Sequence, residues 1–143
     1  MKKNLLLICS SLIILCSINS FAQVNDLARS QAELGKDGSF INEAASAGLM
    51  EVELGKLAQL KGSSQQVKDF GRMMERDHSD ANRKLQAISS KMGLTPSTRM
   101  LDKHQDHLDR LKNKSGAEFD DDYMDLMVKD HDEDVEKFQK AQS

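Results

Sequence analysis

The sequence predicts an all-α protein, an antiparallel helical bundle with three long helices and one short helix. Apolar residues recur at spacings of three and four over long stretches, which is the period of an amphipathic helix. One proline, no tryptophan, eight methionines and 30% charged residues are typical of helical proteins. No run of alternating β-branched residues indicates strands. Because such helices bury their stripes only against one another, a bundle follows.

Residues 1–22 are predicted to be a signal peptide. Met1-Lys-Lys provides a charged start, Leu5 to Ile18 is almost wholly apolar, and Ser20-Phe-Ala22 places small residues before a cut. The apolar run is shorter than the roughly 20 residues of a membrane span. We therefore expect cleavage after Ala22 and a periplasmic or secreted protein with no stable membrane span after signal removal.

Both cysteines, Cys9 and Cys16, lie in this segment and follow Ile8 and Leu15, where a lipobox requires a small residue. The mature chain is therefore expected to have no thiol, which excludes disulfides and thiolate metal sites. Losing Lys2 and Lys3 lowers the 20 basic residues to 18 against 23 acidic, a formal charge of −5. No basic block indicates nucleic acid, and no nucleophile motif or phosphate loop indicates an ordinary hydrolase or NTPase.

Residues 23–38 form a polar lead-in that ends at the turn signal Lys36-Asp-Gly-Ser39, and residues 39–143 form the helical domain. Ser39 is the predicted cap of a first long helix that ends at Gly62. Glu51 lies on the apolar seam of this helix, whereas Glu53 points away from it. The seam residues are Phe40, Ala44, Ala47, Leu54 and Ala58.

The second long helix is predicted to begin at the capping box Ser63-x-x-Gln66 and to end at Gly93. Its seam is Val67, Phe70, Met74, His78, Ala81, Leu85, Ile88 and Met92. The seam places His78 in the core.

A short segment, Met100 to Lys112, has Leu101, His104, Leu108 and Leu111 on one face. The last helix is predicted to begin at the capping box Ser115-x-x-Glu118. Its stripe is Phe119, Tyr123, Met127, His131, Val135 and Phe138. The acidic run 120–122 falls in its first turn, where it complements the helix dipole.

Two long helices carry the same motif. Met74-Glu-Arg-Asp-His78 recurs as Met127-Val-Lys-Asp-His131, 53 residues later. In each copy the Met and the His are one turn apart on the inward face.

Seven segments, in their order and spacing, resemble a bacterial exported family, the domain of unknown function 4142. They are Phe40-Ile-Asn-Glu-Ala-Ala45, Met50-Glu-Val-Glu-Leu-Gly55, Val67-Lys-Asp-Phe70, Met74-Glu-Arg-Asp-His78, Leu108-Asp-Arg-Leu111, Phe119-Asp-Asp-Asp-Tyr123 and Met127-Val-Lys-Asp-His131. The resemblance implies a ferritin-like bundle of two helical hairpins joined by a crossover, here Met100 to Lys112. It would explain the repeated motif as pseudo-twofold symmetry, and it implies no established activity.

Members of this family usually continue through a further turn and a last long helix, which this chain is expected to lack. The lead-in or a second subunit would then complete the bundle. Without completion, the apolar stripes of the first and last helices are expected to leave an exposed patch that favours self-association.

Ferritin-like di-metal sites place a Glu on each of two helices and Glu-x-x-His on the other two. Glu51 and Glu75-x-x-His78 fit one half of that pattern for iron. The other half does not fit, because Val128 precedes His131 by three residues, and Asp130 substitutes only loosely. A second metal interpretation uses the thioethers: Met74 with His78, and Met127 with His131, suit copper.

The structural interpretation pairs each inward histidine with a carboxylate on a facing helix, such as His78 with Glu51, Asp130 or Asp134. On this interpretation, His104 and His107 are partly buried or exposed. The preferred hypothesis is a non-enzymatic structural, binding or stress-related module with an internal cluster of Glu51, Glu75, His78, Asp130 and His131. A metal-binding protein that uses the same cluster is the alternative, and an exported chaperone-like protein is a weaker third.

Overall fold

The computed structural model describes the backbone of residues 9–141 and the side chains of residues 35–141. The described backbone forms four helices and no strand. They are α1 (Cys9–Lys61), α2 (Gln65–Lys91), α3 (Asp102–Lys112) and α4 (Gly116–Ala141). The predicted all-α class, with three long helices and a short one, is confirmed. No helix in the described part of the chain has a stretch long and apolar enough to cross a bilayer.

The chain divides into two compact units, residues 1–37 and residues 38–143. The second unit contains the later part of α1 together with α2, α3 and α4. The predicted turn at residues 36–39 is wrong, because α1 continues through it and Ser39 is not an N-cap. A single helical glycine costs only about 1 kcal/mol, so the Asp37-Gly38 signal does not end the helix. The side chains of the predicted signal peptide lie outside those described.

The α1 and α2 helices form an antiparallel pair in close contact. A Cβ atom added to Gly71 would lie 2.7 Å from the Cβ atom of Ala58 and 2.7 Å from the carbonyl oxygen of Gly55. A Cβ atom added to Gly55 would lie 2.6 Å from the carbonyl oxygen of Gly71. The two backbones therefore approach at a point where only glycine fits, and this contact fixes the spacing of the pair.

Asp120 of α4 holds the turn between α1 and α2. Its carboxylate accepts hydrogen bonds from Ser63 N at 2.8 Å, Ser63 Oγ at 2.7 Å and Ser64 N at 2.8 Å. Ser64 caps α2 by accepting a bond from Val67 N, so the predicted cap at Ser63 is wrong by one residue. Burial raises the pKa of Asp120, but the hydrogen bonds from Ser63 and Ser64 outweigh it and hold this pKa below its usual range.

The α3 helix crosses back parallel to α1. Leu101 N donates to Ser46 Oγ at 2.7 Å, and Ser46 Oγ is also hydrogen-bonded to His104 Nδ1 at 2.5 Å. His104 is buried, with 5% of its surface exposed, so the prediction that it is partly buried or exposed is wrong. Burial lowers the pKa of His104, which favours the neutral ring. This contact attaches the predicted crossover to α1.

The α2 and α4 helices pack side by side in the same direction and in register. The rings of Phe70 and Tyr123 lie 5.9 Å apart, and those of His78 and His131 lie 5.5 Å apart. Both pairs are separated by 53 residues, the period of the repeated motif. The repeat therefore relates two adjacent parallel helices, and its interpretation as a symmetry between two hairpins is wrong.

The main core lies towards the turn between α1 and α2. Its buried members are Met50, Leu54, Ala58, Val67, Met74, Leu108, Leu111, Phe119, Tyr123, Leu126 and Met127. Towards the ends of α2 and α4, Ile88 is 56% exposed, Val135 57% and Phe138 49%. The core positions predicted for Ala81, Ile88 and Met92 are wrong, because these residues are exposed. The stripe of α4 is buried only as far as Met127.

Gly71→Ala should lower the free energy of unfolding by about 1–3 kcal/mol, because the added methyl group overpacks the contact with Ala58 and Gly55. Gly35→Ala is the matched control, since an added Cβ atom there meets nothing within 4 Å and alanine favours the helix by up to about 1 kcal/mol. Denaturant titration of both variants measures the effect. Equal stabilities of the two variants would contradict the close approach.

Asp120→Asn should lower the free energy of unfolding by about 1–3 kcal/mol at neutral pH, because it removes charge-assisted bonds to Ser63 and Ser64. Since the folded-state pKa is lowered, the stabilisation is present above the unfolded pKa of about 3.9. It is lost as the pH falls through the folded pKa. Denaturant titration at several pH values should show the variant converging on the parent in acid. The exposed neighbour is the control: Asp121→Asn should change stability by less than about 0.5 kcal/mol.

Candidate metal centre

Glu51 lies in the C-terminal part of α1, with 2% of its surface exposed. The helical period placed it on the apolar seam of α1, and the structure brings α2 and α4 against that seam. Its Oε2 atom lies 2.6 Å from His78 Nδ1. This contact is one of the carboxylate pairings that the sequence predicted for His78.

His78 of α2 and His131 of α4 lie next to each other beside Glu51. Their rings are nearly perpendicular, at 85°, with centroids 5.5 Å apart. His131 Nδ1 lies 2.7 Å from the carbonyl oxygen of Met127 and 3.9 Å from Glu51 Oε1. The side chains of His78 and His131 are 22% and 45% exposed, so solvent reaches both imidazoles.

The partners of the two Nδ1 atoms fix the tautomer of each neutral ring. A carboxylate and a carbonyl oxygen can only accept a hydrogen bond, so Nδ1 of His78 and Nδ1 of His131 must both carry the proton. Each Nε2 atom then keeps its lone pair. Metal-binding histidines are usually oriented in this way, with one ring nitrogen donating to a carboxylate or a backbone carbonyl while the other binds the ion.

The electrostatics of the site centre on the Glu51 carboxylate. Burial lowers the pKa of His78, but the hydrogen bond and the charge of Glu51 outweigh burial, and the pKa is raised. Burial and then the charge of Glu51 raise the pKa of Asp130 to about 6. Burial, followed by the same charge, also raises the pKa of Tyr123.

Three buried side-chain atoms of the described residues have no hydrogen-bond partner: Glu51 Oε1, Tyr123 Oη and Asp130 Oδ2. Such atoms are few in native proteins, because leaving one unpaired costs about 1–3 kcal/mol. All three belong either to Glu51 or to residues whose pKa is raised by its charge. The polar atoms around Glu51 can therefore form further interactions.

Glu51, His78 and His131 each offer a ligand atom, and these atoms lie within 4.8 Å of one another. Two imidazoles and one carboxylate are a common donor set for divalent transition metals. The geometry and the chemistry of these three side chains fit one metal ion.

Glu75 and Asp130, which the sequence also predicted as ligands, do not belong to this group of ligand atoms. Glu75 accepts a hydrogen bond from Gln59 Nε2 at 2.7 Å, and the structure does not bring it to the three ligand atoms. Asp130 is half-buried, and the charge of Glu51 contributes, after burial, to the raised pKa of its carboxyl group. Met74 and Met127 are buried one turn before the two histidines. The ligand roles of Glu75, Asp130, Met74 and Met127 stay predictions.

His78 and His131 line a groove of about 490 Å³ that is rich in methionine. Its methionines are Met73, Met74, Met124 and Met127. We did not predict Met73 and Met124 from the sequence, because neither lies on the seam of its helix. A second groove of about 300 Å³ is lined by Glu51, His78 and Phe138. His78 therefore lies between the two grooves.

Ser46, for which we made no prediction from the sequence, is hydrogen-bonded to His104. His104 Nε2 is 3.8 Å from Glu43 Oε1, an order of groups that resembles a serine triad. Ser46 is fully buried, however, and its oxygen accepts a bond from Leu101 N. No substrate reaches this hydroxyl, and the contact is structural. The one available signal was a hydroxyl within the small-residue run 44–48.

The fold and the site together define an all-α helical-bundle protein with a partly open Glu–His–His group. A sequence model of the family described as "domain of unknown function" (DUF4142) matches residues 22–143. The chain belongs to this family, and the predicted resemblance is confirmed. The family description names no activity. No curated protein and no solved structure is significantly similar to the chain.

Asp130→Asn should raise the melting temperature of the metal-free protein at pH 7.5 and have little effect at pH 4. The folded-state pKa of about 6 exceeds the unfolded value. The neutral carboxyl group therefore contributes stability below the unfolded pKa of about 3.9, and that stability is lost as the pH rises through the folded pKa. Thermal melts at both pH values measure the difference. The exposed Asp132→Asn is the control, and an equal effect of Asp130→Asn at both pH values would contradict the raised pKa.

Proposed function

We propose that the protein is an exported, non-enzymatic metal-binding module whose site is formed by Glu51, His78 and His131. The observation that carries the proposal is the convergence of three ligand atoms within 4.8 Å, contributed by three different helices. Both imidazoles are already oriented by their Nδ1 hydrogen bonds, as in established metal sites.

The unpaired oxygen of Glu51 supports metal binding over a purely structural pair. The hydrogen bond to His78 accounts for Oε2, whereas Oε1 is buried with no hydrogen-bond partner and lies 3.9 Å from His131 Nδ1. A cation in the group would interact directly with this negative charge, whose burial otherwise costs several kcal/mol. His131, at 45% exposure, gives an ion access to the group from solvent.

The proposal also includes export of the protein and binding of the ion without catalysis. The charged start and apolar run of residues 1–22 support a periplasmic or secreted destination. The sequence shows no nucleophile motif, so we assign the site to binding. With only one Glu in the converging group, a single ion is expected instead of a di-iron pair, and metal handling under stress is the proposed context.

A structural module is the second candidate, favoured by the 2.6 Å contact between His78 and Glu51. In that case the pair fixes the register of α2 against α1 and no ion binds. The two candidates predict different results for the same histidine variants. A metal site requires a free lone pair on Nε2 of the histidines, whereas a structural pair requires only the hydrogen bond between His78 and Glu51.

Isothermal titration of the metal-free mature chain with Zn²⁺, Co²⁺, Fe²⁺ and Cu²⁺, and with Cu⁺ under anaerobic reducing conditions, should show one ion bound per chain for at least one of them. His78→Ala/His131→Ala should abolish this binding, because it removes both imidazole ligands. The matched control is His107→Ala, since His107 lines a different groove with Arg110 and Lys129. Glu75→Gln should also retain binding, because Glu75 is paired with Gln59.

Elemental analysis of the purified protein provides the same comparison without added metal. If no ion binds, or if the double histidine variant binds as the parent does, the metal-binding proposal is wrong. A double variant that only melts earlier, with no metal bound by the parent, would establish the structural module.

A further inference from the structure

We infer that the ion is a soft monovalent one, Cu⁺, bound by the Nε2 atoms of His78 and His131 and by the thioether sulfurs of Met74 and Met127. Glu51 then orients His78 and balances the charge without being a ligand. This inference rests on the proposed metal-binding function. It keeps His78 and His131 as ligands, specifies the ion, and assigns Glu51 to charge balance instead of coordination.

The nitrogen ligands follow from the hydrogen bonds. Nδ1 of His78 and Nδ1 of His131 are occupied by Glu51 and by the carbonyl oxygen of Met127, so Nε2 is the free donor on each ring. Two imidazoles that bind one tetrahedral ion through nitrogen at about 2.0 Å have centroids about 5 Å apart. The observed separation of 5.5 Å is close to this value.

The sulfur ligands follow from the groove that both imidazoles line. Met74 precedes His78 by one turn, and Met127 precedes His131 by one turn. Because α2 and α4 run parallel and in register, both Met–His pairs line the same groove. The repeated motif thus brings two histidines and two methionines to one groove.

Hard oxygen ligands are less available in this groove. Asp77 and Asp132 are its carboxylates, and both are exposed. Asp77 also forms an ion pair with Arg76 at 2.8 Å. Glu51 Oε2 is occupied by His78. Glu51 itself does not line this groove, and the buried donors that do line it are the thioethers of Met74 and Met127, which favour Cu⁺ over Zn²⁺ or Fe²⁺.

Charge supports a monovalent ion. Imidazoles and thioethers are neutral ligands, so they do not offset the charge of the ion. The adjacent Glu51 carboxylate carries a single negative charge. A monovalent cation next to this buried carboxylate gives a neutral pair, whereas a divalent ion would leave one positive charge partly desolvated. Beyond residue 22 the chain contains no cysteine, so thioethers are its only soft ligands.

The test is an anaerobic competition for Cu⁺ between the mature protein and a chromophoric Cu⁺ chelator, with ascorbate as reductant. Ag⁺ serves as a redox-inert probe in parallel titrations. Met74→Leu/Met127→Leu should weaken Cu⁺ and Ag⁺ binding by about tenfold or more and leave Zn²⁺ binding unchanged. Leucine conserves volume, so the fold should be retained. Met50→Leu is the matched control, because Met50 is equally buried but does not line the groove.

X-ray absorption of the Cu⁺-loaded parent gives an independent measurement that needs no variant. Sulfur together with nitrogen in the first coordination shell supports the inference, and a shell of nitrogen and oxygen alone overturns it. If Zn²⁺ or Co²⁺ binds but Cu⁺ does not, or if the methionine variant retains full Cu⁺ affinity, only the Cu⁺ inference is wrong. If no ion of either kind binds, the proposed metal-binding function is wrong as well.

Discussion

The buried carboxylate of Glu51 is the constraint on which the rest of the structure depends. Only 2% of the surface of Glu51 is exposed. Its carboxylate therefore loses hydration worth several kcal/mol, and nearby partners must compensate for this loss. His78 provides that compensation from α2, and His131 lies beside it from α4. Because both histidines must reach one residue of α1, α2 and α4 are held next to each other at the same height.

This arrangement gives the repeated Met-x-x-Asp-His motif a physical explanation. Two parallel helices in register place corresponding residues side by side, as Phe70 with Tyr123 and His78 with His131 show. One copy alone would place a single histidine beside Glu51. The second copy adds another imidazole and another thioether in the same groove, which is what converts a buried ion pair into a candidate binding site.

The position of the site between two different halves of the bundle determines its accessibility. Towards the turn between α1 and α2, the close approach at Gly71 and the carboxylate of Asp120 hold the helices tightly. Towards the ends of α2 and α4, Ile88 and Phe138 remain exposed. Glu51 lines the groove beside Phe138 in the open half, whereas His131 lines the methionine-rich groove and is 45% exposed. An ion can therefore reach a charge that is otherwise shielded from water.

The sequence by itself determined the all-α class, the three segments that form α2, α3 and α4, and the seam position of Glu51, because helical period depends only on local spacing. It did not determine the start of α1, the burial of His104 or the exposure of Ile88. Each depends on which helix lies opposite, as Ser46 does for His104. Only the tertiary structure decided that Glu75 pairs with Gln59 while His131 joins Glu51 and His78. The reason is that a period assigns residues to a face, whereas the direction and register of packed helices decide which faces meet.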